Sequence, residues 1–204
     1  MEAELVSLLS DIAIGVAAVV VAVVGVFGLC TWRKELTGKA KFNGARNVML
    51  LAFKLKADFE WATNPMTSSG EFIDRPHGEK ESPDESRVLD EWHARQRRLQ
   101  PLVEDLQKLQ TAGWEAEILL GEDSGKSVSE AIGIFRRNYA QLATAIESYF
   151  EETYREASRT SENIDRGWLK GLKKIIYSAP SGDLLKQIDK ATAQLASTLK
   201  AYVK

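Results

Sequence analysis

Apolar residues gather first into one unbroken block and then into repeating stripes. From Ile12 to Cys30 the chain carries no charge, amide or proline, only Ile, Ala, Gly, Val, Phe, Leu and Cys. As a helix rising 1.5 Å per residue this block measures about 29 Å, close to the hydrocarbon thickness of a bilayer. With Thr31 and Trp32 it predicts a transmembrane helix over residues 12–32. A cleaved signal peptide would show a basic leading region, a shorter apolar core and a small-residue cleavage site. Here the leading region is acidic and the core long, so the segment is expected to remain on the mature chain.

After the block, apolar residues recur at helical spacing. The first stripe covers roughly Lys41 to Ala62, with Ala45, Val48, Met49, Ala52, Leu55 and Phe59 on one face. From Thr63 to Ser86 the chain turns polar and contains three prolines and two glycines, which predicts a mobile loop whose middle Phe72 and Ile73 could pin. A second stripe runs from about Arg87 to Leu120 through Leu89, Trp92, Leu99, Leu102, Leu106, Leu109 and Ala116. Pro101 lies inside it and predicts a kink or a break there. The third, Val128 to about Ala157, places Ile132, Phe135, Tyr139, Leu142, Ile146 and Tyr149 at alternating steps of three and four, a heptad seam of the coiled-coil kind. It opens on Ser127 and Glu130, spaced as a capping box. The last strong stripe, about Asp183 to Tyr202, follows the breaker run from Ala179 to Gly182. No segment alternates as a strand would.

The expected fold is all-α, a single N-terminal transmembrane helix followed by an up-and-down helical bundle. Its layout is a short external N-terminus (1–11), the transmembrane helix (12–32), a juxtamembrane helix (33–62), the polar loop (63–86) and a cytoplasmic bundle (87–204).

Charge sets the expected orientation. Glu2, Glu4 and Asp11 precede the block, and Arg33, Lys34, Lys39, Lys41 and Arg46 follow it. Basic residues stay cytoplasmic, so the N-terminus is expected outside and the C-terminal domain inside. Trp32 suits the headgroup belt beside Arg33 and Lys34. All 27 Lys and Arg lie beyond the block, with 26 of the 29 Asp and Glu. Such a near-neutral domain gives no basis for general nucleic-acid binding. The single Cys30 excludes an internal disulfide.

Gly15, Ala18, Ala22, Gly25 and Gly28 recur every three or four positions in the anchor, a stripe over which two helix backbones can approach. Between Trp168 and Tyr177, Leu169, Leu172, Ile175 and Ile176 form one face with Trp168, while Lys170, Lys173 and Lys174 crowd the other. Such a helix packs into the bundle or lies in the membrane interface with its lysines among anionic headgroups. The stretch from Arg166 to Lys204 holds eight basic residues against Asp183 and Asp189.

Apparent chemical motifs do not hold up. The run Gly121 to Ser127 suggests a phosphate loop, yet Leu120 stands where the first glycine belongs and Glu122 and Asp123 would face the phosphates. Asp90 and His93 have the spacing of a carboxylate-bridged metal helix, but no second pair accompanies them and His77 sits between Pro76 and Gly78. The cluster Arg95, Arg97 and Arg98 is expected to form a solvated helix face, one that phosphate or an acidic partner could use. No catalytic, cofactor or metal residues are assigned.

The segment Trp32-Arg-Lys-Glu35-Leu36-Thr-Gly38-Lys39, with Gly44 to Arg46 after it, resembles a group of uncharacterised bacterial single-pass membrane proteins that share a Trp-x-x-Glu-Leu-x-Gly-Lys segment after the anchor. The similarity extends through Asn64 and Pro65 and more weakly to Leu119 through Gly121. It implies a bacterial inner-membrane location and an anchor-plus-helices layout, and no activity. The expected role is that of a membrane-anchored interaction or scaffold subunit, with membrane lipid and either a second copy or another protein as partners and no small-molecule substrate. An oligomeric membrane-disrupting effector and an enzyme assembled on oligomerisation remain open as alternatives.

Overall fold

A computed structural model describes residues 2–158, 164–179 and 182–203, with side chains from Gly15 onward. The side chains of Glu2, Glu4, Asp11 and Ile12, and Pro180 and Ser181 of the breaker run, lie outside the described residues. The described residues form five α-helices and no strand: α1 (Glu2–Ala62), α2 (Pro83–Leu120), α3 (Glu122–Ala157), α4 (Arg166–Ile176) and α5 (Asp183–Leu199), with a short 3-10 turn at Ser69–Glu71. The chain divides into two compact units, Met1–Asn43 and Gly44–Lys204.

The first unit is the N-terminal part of α1. From Gly15 to Gly38 every side chain is exposed, valines, leucines and Phe27 included. α1 is long and apolar enough to cross a membrane.

The second unit is a four-helix bundle with α4 packed on it. The remainder of α1 supplies Ala45, Val48, Ala52, Leu55, Phe59 and Ala62 to its core, so the bundle includes part of the juxtamembrane helix as well as residues from 87 onward. α2 runs antiparallel to it: Gly44 meets Leu119 at one end and Trp61 lies under Arg98 at the other. α3 returns along α2, since Gly125 approaches Glu117 while Trp92 stacks on Phe150 at 4.3 Å. α5 reverses again, with Ser124 bonded to Tyr202 and Asn138 to Gln187. Each apolar stripe thus faces a common centre, where Leu102, Leu109, Phe135, Leu142, Ile188 and Leu195 are fully enclosed.

Three boundaries depart from expectation, each for a local reason. α2 starts at Pro83 rather than near Arg87, because Ser82 and Glu85 form a reciprocal capping box and proline suits the first turn. It continues through Pro101 as one helix. α3 starts at Glu122 rather than at Ser127, because Gly121 alone joins it to α2 with φ 91°, a backbone that disfavours any side chain. Ser127 and Glu130 therefore lie inside the helix and cap nothing.

The α2–α3 contact explains two glycines. A Cβ on Gly113 would lie 2.3 Å from Ile132 Cδ1, and one on Gly125 would lie 3.0 Å from Glu117 Cα. Gly125, part of the apparent phosphate loop, is a helix-packing residue.

Candidate functional site

The polar loop is not held as the pattern suggested. Ile73 is 79% exposed, and Phe72 only half-buried. Three arginines do the holding. Arg98, 1% exposed, donates from Nε to Glu71 Oε2 at 2.5 Å and from Nη2 to Glu71 Oε1 at 2.8 Å. It also donates to the carbonyls of Asn64 at 2.6 Å and Met66 at 2.5 Å, and its guanidinium covers the Trp61 ring at 4.5 Å. Glu71 in turn accepts the Ser68 amide, closing a capping box on the 3-10 turn. The Arg98 hydrogen bond, against the opposing effect of burial, holds the Glu71 carboxyl below its usual range.

Arg75, also buried, donates to Asp90 at 2.5 Å and to Glu81 at 3.1 and 2.8 Å. The bond from Arg75, with the Gly78 amide, pulls the Glu81 carboxyl down to about 2. Asp90 is therefore committed to Arg75, and His93 Nε2 lies 3.3 Å from Asp74 Oδ1. Among the described residues no group of three or more His, Cys, Asp or Glu is gathered as a metal would require.

Arg95, expected on a solvated face with its neighbours, is buried at 3% exposure. Its Nη1 donates to the carbonyls of Ala62 at 3.1 Å and Asn64 at 2.9 Å, capping the end of α1. Its guanidinium lies 4.6 Å from the centroid of the Tyr177 ring. Its Nε and Nη2 have no hydrogen-bond partner. Burial pushes the guanidinium below its ordinary value. Tyr177 donates to Glu91, and burial followed by that bond pushes the phenol far above its usual range. Only Arg97 of the three is exposed as expected, bonded to Asp74 at 2.9 Å. The correction has a plain cause: α1 and the loop end in carbonyls that must find donors, and Arg95 and Arg98 supply them.

Around Arg95 the helices leave a small void of about 20 Å³ lined by Glu91, Trp92, Tyr149, Phe150 and Ile176. It shares Val88, Glu91, Tyr149 and Thr153 with a larger cleft of about 610 Å³ between the start of α2, the end of α3 and α4. In that cleft Arg87 pairs with Asp84 and Arg166 with Glu156.

The other predicted residues are placed as follows. Leu169 and Ile176 of α4 are buried and Leu172 and Ile175 pack partly on the core, so most of the apolar face belongs to the bundle. Trp168 remains 45% exposed, beside exposed Lys170, Lys173 and Lys174. In the first unit Trp32, Arg33 and Lys34 are exposed, as are Gly15, Ala18, Ala22, Gly25 and Gly28. A Cβ added at any of those three glycines would meet nothing within 4 Å.

A further cluster escaped the sequence pattern. Asp58 of α1 and the buried Asp105 of α2 lie together, with Lys54 2.6 Å and Lys108 2.9 Å from Asp105. Burial, and then the neighbouring Asp105, push the Asp58 carboxyl up to about 6. Burial opposes it, yet bonds to Lys54, Lys108 and Asp58 hold Asp105 below its ordinary value. Nothing in the local sequence signals the pair, because its members are spaced as ordinary solvated helix charges.

The arrangement defines a class: an all-helical protein with one N-terminal helix able to cross a membrane and a bundle whose surface is fastened by buried arginines. Comparison with family models, with curated proteins and with solved structures finds no match to this chain.

Proposed function

We propose that this protein is a membrane-anchored protein–protein interaction subunit of the bacterial inner membrane. The Ile12–Cys30 segment spans the bilayer with its N-terminus outside, and the bundle is presented on the cytoplasmic side. The observation that carries the reading is that α1 supplies both an apolar segment exposed from Gly15 to Cys30 and six core residues of the bundle. A bundle built on that helix is tied to whatever surrounds the apolar segment. The basic residues that follow the apolar block and the acidic ones before it support the orientation.

Partner binding draws on apolar side chains that the bundle leaves outside. Leu50 and Phe53 of α1 are about half exposed, and Trp114 and Ile118 of α2 more so, at 59% and 84%. In the anchor, the small-residue stripe supports pairing with a second copy.

Two measurements test the reading. A reporter fused after Lys204 should be active in the cytoplasm and silent in the periplasm; the reverse overturns the topology. Bismaleimide treatment of intact membranes should link copies through Cys30, the single cysteine, and Gly25→Leu with Gly28→Leu should abolish the link. Because both glycines have open space around them, the substitutions leave the fold intact, and an unchanged link would remove the stripe from the interface. Dye leakage from vesicles carrying the protein would replace the interaction reading by that of a membrane-disrupting effector.

A further inference from the structure

The bundle leaves one face of α1 uncovered. Within the second unit Val48, Ala52, Leu55 and Phe59 follow one another at steps of four, three and four and are buried, so this is the seam that the bundle uses. On the opposite side of the helix Leu50, Phe53 and Ala57 follow at steps of three and four and are exposed, with Trp61 just beyond them. Leu50 is 55% exposed, Phe53 49% and Trp61 48%. A helix that packs by one stripe ordinarily turns polar residues to water on the other side. Here α1 carries two apolar seams, and its own chain covers one.

The lysines beside the open seam are matched within the chain, Lys54 with Asp105 at 2.6 Å and Lys56 with Asp189 at 2.6 Å, as suits the polar rim of an interface. In sequence the same alternation of three and four runs back from Leu50 through Arg46, Asn43, Lys39, Leu36, Trp32 and Leu29, all of them exposed. Written as a heptad, Leu29, Leu36, Asn43, Leu50 and Ala57 share one core position, and a single asparagine there fixes the register between like helices. Lys39 and Arg46 fall at the other core position. Facing each other across a pair they would repel, but both side chains are long enough to turn outward to solvent. Phe53 and Trp61 each leave on the order of 100 Å² open. With Leu50, two copies place about 500 Å² in this part of the seam, under half of the roughly 1,200 Å² that a specific complex buries. That area is too small to hold two free proteins together, and it serves where a shared membrane already keeps them side by side.

We propose that this face of α1 pairs in parallel with the same face of α1 in a second copy, Leu50 against Leu50, Phe53 against Phe53 and Ala57 against Ala57, with Trp61 at the edge. The proposal names the partner of this surface and rests on the reading of the protein as membrane-anchored, since helices inserted with one orientation are presented parallel and level with each other. A second copy carries the matching stripe in the matching register, Asn43 included.

The test uses the full-length protein in native membranes with Cys30→Ser, which removes the single cysteine, and one cysteine introduced elsewhere. A disulfide needs Cα atoms within about 7 Å, which identical core positions of a parallel pair satisfy. Ala57→Cys should therefore give a linked dimer on mild oxidation with copper phenanthroline, and Ala140→Cys, exposed on α3, should not. Leu50→Glu with Phe53→Glu should abolish the link at position 57 while leaving the thermal transition in place, because neither side chain belongs to the core. With Cys30 retained, the bismaleimide link in the anchor separates the two readings. A link at Cys30 without one at position 57 overturns the seam and leaves the anchor pair standing, and no link at either position removes the pair altogether. Equal linking at positions 57 and 140 reports random collision and overturns the proposal, as does a link at position 57 that survives the two glutamates. An inverted result from the reporter after Lys204 would overturn the topology alone, since copies inserted the other way are still parallel.

Discussion

Replacing Arg98 by Ala removes the central fastening of the polar loop. It deletes two bonds to Glu71, two short bonds to the Asn64 and Met66 carbonyls and the cover over Trp61. Removing one partner of a buried ion pair costs about 3–5 kcal/mol, because the other charge is left without compensation. Here the Glu71 side chain keeps 14% exposure, and the loop carrying both carbonyls can turn them to water. The cost therefore falls near the lower end, about 3 kcal/mol. For a unit of this size that lowers the melting temperature by roughly 6–12 °C. Circular dichroism of the full-length protein in detergent measures it, and hydrogen exchange should quicken over residues 64–75 while α3 and α5 stay protected. Glu71 has its carboxyl held low by Arg98, so its contribution is present above about pH 4 and is lost as pH falls through the depressed folded value. The difference between native and variant protein should shrink accordingly in acid. A loss under about 1 kcal/mol with unchanged exchange in the loop would refute the claim that a buried arginine, rather than apolar contact, fastens this segment.

Three further outcomes follow from the packing and the carboxyl pair. Gly125→Ala should destabilise, since its Cβ would press on the Glu117 backbone, whereas Gly133→Ala meets only the end of Arg137 and should gain up to about 1 kcal/mol of helix propensity; thermal unfolding of both variants in parallel decides it. Asp58 has its carboxyl raised to about 6, so the folded state favours its protonated form and that contribution fades as pH rises from about 4 to about 6. Asp58→Asn should flatten this pH dependence and raise stability at neutral pH, and an unchanged pH profile in the variant would refute it. Arg97→Gln, at an exposed position with one ion pair, should change stability by less than about 0.5 kcal/mol, in contrast to Arg98→Ala.

Much of the fold was legible because a helix repeats its environment every three or four residues. Of the first predicted face, Ala45, Val48, Ala52, Leu55 and Phe59 are buried and Met49 partly so; of the third stripe, Ile132, Phe135, Leu142 and Ile146 are buried while Tyr139 and Tyr149 pack partly on the core. Caps were legible where the pattern is short. Ser82 and Glu85 carry the Ser-x-x-Glu spacing of a helix start, and α2 begins on it, ahead of the apolar stripe that starts near Arg87. Ser127 and Glu130 carry the same spacing and cap nothing, because one glycine at positive φ let α3 begin earlier.

Periodicity and composition by themselves determined the apolar span, the all-helical class and the faces that meet in the core. These depend on local spacing, and local spacing is written along the chain. Only the tertiary structure decided the fate of the arginines and carboxylates. Arg98 finds Glu71 at 27 positions' distance and Arg95 finds Ala62 at 33, while Asp58 meets Asp105 across two helices. A charged side chain on a helix looks the same in sequence whether water or a distant carbonyl receives it, and which of them does is settled when α1, the loop and α2 are brought together.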